Sequence, residues 1–294
     1  MNLFEQIKLK SKIMRGKQAA VGKFIANNLN NVWIANMKLS SIASEAGVSE
    51  ATVTRFVYAL GYKNFADFQL ALQKHMEERF HSRTFQIEQG NLNSNTVYSK
   101  VFSVECQLME ETLNRIDPDV FEKFVDLIRD AKKLFLVGCC PNEYLINYFH
   151  IFLEIYRDDV VPITSLNLIS QSIIATSDKN DYAAVVFSYP RYPVDTQRIV
   201  EQLHAKGIRI AGLTDSEFSP IAPFCDLLIL TPHKYFIITD PMASVMALIH
   251  AFIFAFYKRD VQEGKRRMRR YETITRELHM FMESEFNFAD EIKE

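Results

Sequence analysis

Apolar positions in the first third of the chain recur at helical spacing. Ala20, Val21, Phe24, Ile25 and Leu29 line one side of a predicted helix over residues 17–30. Two shorter helices follow, Leu39–Ala46 and Ser49–Leu60, separated by Gly47 and Val48. From Arg79 to about Ser99 the pattern gives way to polar residues, with Gly90 and several Asn, which is the composition of a linker. A longer helix is predicted from about Val101 to Ile116, and Asp117-Pro118 starts another that ends near Arg129.

The texture then changes. Short apolar runs appear at Leu134–Val137, Val160–Ile163, Ala183–Phe187, Ile208–Leu213 and Leu227–Leu230, with helix-length segments between most of them. Continuous apolar strands alternating with helices predict a parallel sheet covered on both faces. The longest apolar stretch, Met242 to Tyr257, contains His250 and falls short of the ~20 residues that span a bilayer, so it is expected as a buried or interfacial helix. The tail from Val261 is a charged helix.

Length and composition narrow the class. A chain of 294 residues suits two domains, and 48% hydrophobic with 24% charged residues excludes a disordered or low-complexity chain. The four cysteines (Cys106, Cys139, Cys140, Cys225) are too few for a disulfide scaffold and lack the paired C-x-x-C spacing of a zinc site. His150 and Glu154 share a helix face without a third ligand, so a structural role is expected for them, and no metal or cofactor is predicted. The N-terminal MNLFEQIKLKSK interleaves charge with apolar residues and forms no signal-peptide core, so a reducing, cytoplasmic setting without a membrane is expected. The net charge of −2 hides an asymmetry: residues 1–80 carry 11 Lys/Arg against 6 Asp/Glu, and the remainder 23 against 30. A basic end on an acidic body is the footprint of phosphate-backbone binding, although charge alone does not separate it from scattered surface residues.

The segment LSSIASEAGVSEATVTRFVYALG supplies the motif that charge lacks. Two short helices are joined by a tight turn in which Gly47 takes the left-handed conformation. That is the helix-turn-helix layout. Ser49 is placed to cap the second helix, while Val53, Phe56 and Leu60 point into the core. Glu50, Thr52, Thr54 and Arg55 are left on the opposite side, near the end that enters the major groove. Arg55 can read guanine or grip a phosphate, and Lys38, Ser40 and Lys63 flank it as phosphate contacts. The same periodicity also suits a trihelical interaction module.

The sheet carries a second candidate site. In a doubly wound order 2-1-3-4-5, the loops after the first and third strands flank the ligand crevice. These are GCCPNEY (138–144) and SYPRYPVDT (188–196), and both precede helices whose N–H groups can face an anion. Gly138, Cys139, Asn142, Ser188, Arg191 and Tyr192 are the candidates there, joined by Thr214 and Asp215 after the fourth strand. Arg191 offers a bidentate fork. Cys139-Cys140 is expected as a buried pair of small apolar residues.

With these residues in view, the sequence resembles the MurR/RpiR family of bacterial transcription regulators. GVSEATVTRFVYALGYKNFADF is similar to the family's recognition helix and the Gly-aromatic and Phe-x-x-Phe stretch after it. KLFLVG, AVVFSYPRYPVDT and AKGIRIAGLTDSEFSPIAPFCDLLIL resemble its sugar-isomerase-like (SIS) domain. The resemblance implies an all-α helix-turn-helix domain (1–80), a linker (81–100) and an α/β SIS-like domain with a doubly wound parallel five-stranded sheet (101–294). It implies double-stranded DNA as a partner, an effector held by the SIS-like domain, and a homodimer or homotetramer; the two helix N-termini and Arg191 make a small anionic metabolite the expected effector. Two departures stand out. The family's Gly-x-Gly-x-Ser loop reads Gly138-Cys139-Cys140-Pro141-Asn142 here, and its Ser-x-Ser-Gly-x-Thr loop reads Ser188-Tyr189-Pro190-Arg191-Tyr192-Pro193. The glycines and hydroxyls that wrap a phosphate are largely replaced. The rival reading, a sugar-phosphate isomerase with an accessory helical domain, needs a positioned base, and only Glu143 offers one.

Overall fold

The computed structural model describes residues 3–28, 32–75, 94–217, 219–233 and 239–282. The chain divides into two compact units. The first comprises Met1–Val104 with Ser216–Pro223 and His233–Pro241, and the second Glu105–Asp215, Phe224–Pro232 and Met242–Glu294.

The first unit is helical: α1 (Leu3–Ile13), α2 (Lys17–Asn28), a 3-10 turn (Val32–Asn36), α3 (Leu39–Glu45), α4 (Glu50–Ala59) and α5 over 65–75. Helix α1 is not predicted by the apolar pattern, because its apolar residues are interrupted by Glu5, Lys8, Lys10 and Lys12. Its Ile7 is nevertheless fully buried with Val21 and Ile25 of α2, Ile42 of α3, and Val53, Phe56 and Val57 of α4. Gly47 leaves α3 with φ +64°, as the turn requires. Much of the expected linker lies outside the described residues. Its last part is already helical, because α6 runs from Ser94 to Leu113.

The second unit is built on β1 (Lys133–Val137), β2 (Val160–Ile163), β3 (Tyr182–Phe187), β4 (Arg209–Thr214) and β5 (Leu227–Leu230), all parallel and in the order β2-β1-β3-β4-β5. Helices α7 (Pro118–Asp130), α8 (Glu143–Leu153), α9 (Leu168–Thr176), α10 (Val194–Ala205), α11 (Ala243–Arg259) and α12 (Val261–Glu277) complete it. Alternation along each strand separates two faces. Leu134 and Leu136, Ala183, Val185 and Phe187, and Ala211 and Leu213 join one cluster with α7, α8 and α11, in which the rings of Phe124 and Phe252 stack 4.7 Å apart. The intervening Phe135, Val137, Val186 and Ile210 are equally buried on the other side, with α10 against β3 and β4. Burial on both faces is why these strands read as unbroken apolar runs.

Local chemistry fixes the helix ends. Asp117 caps α7 by accepting from the N–H groups of Asp119 (2.8 Å) and Val120 (3.4 Å), with Pro118 at the first helical position. Its far end is closed by a buried arginine. Arg157 donates to the carbonyls of Ile128, Ala131 (2.9 Å) and Lys132 (3.2 Å), so the carbonyls in and just past the last turn of α7 meet a cation where the helix dipole favours one.

Candidate functional site

Helix α4 presents an exposed side made of Glu50, Ala51, Arg55, Tyr58 and Ala59, with Thr54 half-buried beside it. Lys38, Ser40 and Lys63 are exposed as well. Arg55 therefore stands at the outer side of α4, as its spacing predicts. Thr52 is a correction: it is buried, and its Oγ1 lies 3.0 Å from the Ser49 hydroxyl. At 100° per residue Thr52 falls between Ala59 and Phe56, on the margin of the core face. The cap is corrected too, because Ser49 occupies the N-cap position with no side-chain bond to the backbone, its hydroxyl meeting Thr52 instead. Thr54 donates to the Glu50 carbonyl at 3.0 Å. Ala51 and the 54% exposed Tyr58 complete this side of the helix and were missed, because an alanine and an aromatic inside a short helix carry no polar signal.

The crevice of the second unit lies where the strand order reverses. From β1 the chain passes through α8 to β2, and from β3 through α10 to β4 on the other side, so the loops after these neighbouring strands diverge. They are joined at their base, because the Cys139 N–H donates to Thr196 Oγ1 at 3.1 Å. Other bonds knit the rest of the carboxyl edge. Thr214 donates to the Ser188 carbonyl (2.6 Å), the Tyr192 hydroxyl to Asp215 Oδ1 (2.7 Å), and the buried Tyr189 hydroxyl meets Thr231 Oγ1 at 2.6 Å. Burial pushes the Tyr189 phenol above its ordinary value, with the Thr231 contact opposing it in part. Cys140 (φ +54°) and Tyr192 (φ +44°) hold the left-handed conformation, one in each loop, and non-glycine residues adopt it at an energetic cost that concentrates at binding sites.

This geometry restricts what the loops can offer. Gly138 donates its N–H to the Ile163 carbonyl (3.1 Å), Ser188 to Leu213 (3.1 Å) and Tyr192 to Tyr189 (2.7 Å), so these amides and that of Cys139 serve the fold. Gly138 is needed for packing, since a Cβ there would lie 2.8 Å from Ile146 Cγ1. Two side chains differ from the rest. Arg191 is exposed and makes no ion pair or hydrogen bond among the described residues. Asn142 is 1% exposed, and its Nδ2 has no partner among the described residues. Thr196, fully buried at the junction of the loops, is the residue that sequence reasoning passed over. The two cysteines are not alike: Cys139 is buried, which pushes its thiol up to about 11, whereas Cys140 is exposed, against expectation. His150 and Glu154 meet each other at 3.0 Å, and among the described residues no group of three or more ligands could hold a metal.

Comparison with known proteins places both units. A helix-turn-helix domain of the rpiR family matches residues 1–79, and a SIS domain matches residues 127–255. The combination defines a class: transcription regulators with a helix-turn-helix domain followed by a SIS domain. Within it, the chain belongs to the MurR/RpiR family. It is 27% identical over 231 residues to an uncharacterised HTH-type transcriptional regulator of Clostridium perfringens, covering 77% of this chain and 80% of that one. With the HTH-type transcriptional regulator RpiR of Escherichia coli it shares 24% over 225 residues, 74% of this chain and 73% of the relative. Its fold is similar to that of Vibrio vulnificus NanR complexed with ManNAc-6P (TM-score 0.68, 15% identity, 94% of this chain and 99% of that chain). It is also similar to the sugar isomerase domain of the Sphaerobacter thermophilus RpiR transcription factor (TM-score 0.58, 18% identity, 60% and 99%). No helix among the described residues is long and apolar enough to cross a membrane.

Proposed function

We propose that this protein binds duplex DNA through the exposed side of α4, and that a small anionic metabolite held between the loops at 138–144 and 188–196 changes that affinity. The setting for such a regulator is the cytoplasm. The observation that carries the effector site is Asn142 Nδ2, a buried donor without an acceptor among the described residues. An unsatisfied buried donor costs about 1–3 kcal/mol, which an arriving acceptor recovers. Arg191 supplies the charge. With four loop amides engaged inside the fold, recognition falls to these side chains and to the first turns of α8 and α10. One guanidinium fork and one amide suit a carboxylate or a phosphate, and the likeness to NanR, which is complexed with ManNAc-6P, favours phosphorylated sugars as the first ligands to try.

The crevice reads as a sensor rather than a reaction centre, in keeping with relatives named as transcription regulators. A ligand alters DNA affinity only by favouring one arrangement of the protein, and coupling of that kind is typically about 1–3 kcal/mol. The test is to titrate metabolites into the protein with its selected DNA and follow DNA affinity. Arg191→Ala is expected to lose the response while DNA binding without effector stays nearly intact. A variant that responds as strongly as wild type removes this crevice from the account.

We infer further that the second unit forms the oligomer. Helices α8 and α11 touch, with the Tyr148 hydroxyl 2.8 Å from His250 Nε2. They leave Tyr144, Ile151, Phe152 and Phe254 exposed at 47%, 58%, 40% and 62%, an apolar surface suited to a second copy.

A further inference from the structure

Outside the first 80 residues the chain is acidic, yet α12 carries six cations (Lys265, Arg266, Arg267, Arg269, Arg270, Arg276) against Glu263, Glu272 and Glu277. The arrangement is not random around the helix. At 100° per residue the buried Gly264, Met268 and Thr275 fall within about 40° of one another. Lys265, Arg266, Arg269, Arg270 and Arg276 fall within about 140° on the other side, with Gln262, Thr273 and Glu277 and no apolar residue among them.

The orientation of the helix is fixed by its contacts. Gly264 lies so close to the Tyr257 ring that a Cβ there would clash with it. Asp260 caps the helix by accepting from the Glu263 N–H at 2.9 Å, and Arg267 reaches Asp158 at 2.8 Å. Glu263, held well below the usual carboxylate range at about 2 by Arg266 and Arg267, neutralises part of the first turn. Beyond it, Arg269, Arg270 and Arg276 are exposed, and with Lys265 they make no ion pair among the described residues. Like charges three and four residues apart destabilise a helix slightly, so the stripe opposes local stability. An interfacial membrane helix would turn its apolar side to lipid, whereas here that side is buried in the unit.

We propose that the outer side of α12 is a second contact for the phosphate backbone of duplex DNA, made by Lys265, Arg269, Arg270 and Arg276 and indifferent to base sequence. Lys265 to Arg276 spans about 16 Å of helix. One strand of a duplex carries a phosphate per about 3.4 Å of duplex axis, so more than one falls within reach of that length. Guanidinium forks match phosphate oxygens in pairs. The proposal rests on the DNA-binding reading above and adds to it a surface in the second unit, beyond residue 255 where the SIS match ends.

The test compares full-length wild type with R269Q/R270Q/R276Q on the selected operator and on an unrelated long duplex, across a range of salt. Each phosphate contact contributes about 0.9 to the slope of log affinity against log salt, so the slope should fall by about 2 to 3 for each bound copy. Affinity should drop by the same factor on both duplexes, leaving their ratio unchanged, and R269K/R270K/R276K should restore most of the slope. An unchanged slope overturns the proposal alone. An unchanged slope with an altered sedimentation coefficient assigns the stripe to the acidic surface of a second copy and equally overturns it. Absence of DNA binding by wild type removes the reading on which the proposal rests, and the proposal with it.

Discussion

Arg157 shows how much one side chain can do in this fold. It is 8% exposed, and it closes the end of α7 by donating to three main-chain carbonyls. Burial lowers its basicity, with the carboxylates of Asp159 and Asp158 opposing that effect. Replacing it by Met keeps much of the apolar volume and strands the carbonyls. Hydrogen bonds to charged groups are worth about 1.5–3 kcal/mol, so Arg157→Met should destabilise by at least that amount in denaturant unfolding followed by circular dichroism. Loss below 0.5 kcal/mol would mean that the carbonyls find water instead. The crevice cysteines separate by the same reasoning. At pH 8 the exposed Cys140 should alkylate readily and Cys139 should not, as peptide mapping would show. Unfolding lets the Cys139 thiol ionise near its ordinary 9.0, whereas the folded state holds the proton until about 11. Its contribution to stability is therefore present below pH 9 and lost as pH rises from there to about 11.

At the scale of elements, the sheet was almost fully legible. Val160–Ile163 and Leu227–Leu230 are strands over the expected residues, and the order β2-β1-β3-β4-β5 is the one assumed in placing the crevice. The central strands β1, β3 and β4 are buried on both faces and leave unbroken apolar runs, the edge strands β2 and β5 are only partly buried yet equally apolar in sequence, and the βα alternation then limits the topology. The failures have equally local causes. Helix α1 is a short stretch whose Ile7 is buried by tertiary packing, a force that charge interleaved in LFEQIKLKSKI conceals. The start of α6 at Ser94 was read as linker because Ser, Asn and Thr weaken helix propensity without forbidding a helix. Thr52 was assigned to the wrong side because the margin of a helix face is decided by a few tens of degrees. The loop chemistry was legible as residue types but not as bonding. Nothing in SYPRYPVDT says that Thr196 receives the Cys139 amide or that Tyr192 is held by Asp215.

The whole molecule joins a basic helical unit to an acidic α/β unit, and its proposed action depends on both and on a second copy. If the exposed aromatic and aliphatic side chains of α8 and α11 form the contact between copies, Phe254→Glu should shift the protein toward monomer in sedimentation at micromolar concentration. A variant as oligomeric as wild type would move the interface elsewhere. Dimerisation matters because paired helix-turn-helix units read half-sites related by a two-fold axis, about 34–36 Å apart on one face of the duplex. The central claim, sequence-specific DNA binding through α4, is tested most directly by selecting genomic fragments with the full chain and measuring affinity for the best of them with wild type and Arg55→Ala. The account predicts an enriched, two-fold symmetric sequence bound well above bulk DNA, with Arg55→Ala weakening that binding by about 1–3 kcal/mol and relaxing the sequence preference. Contradiction would take the form of no enriched sequence, or of equal affinity for wild type and variant on the selected fragment.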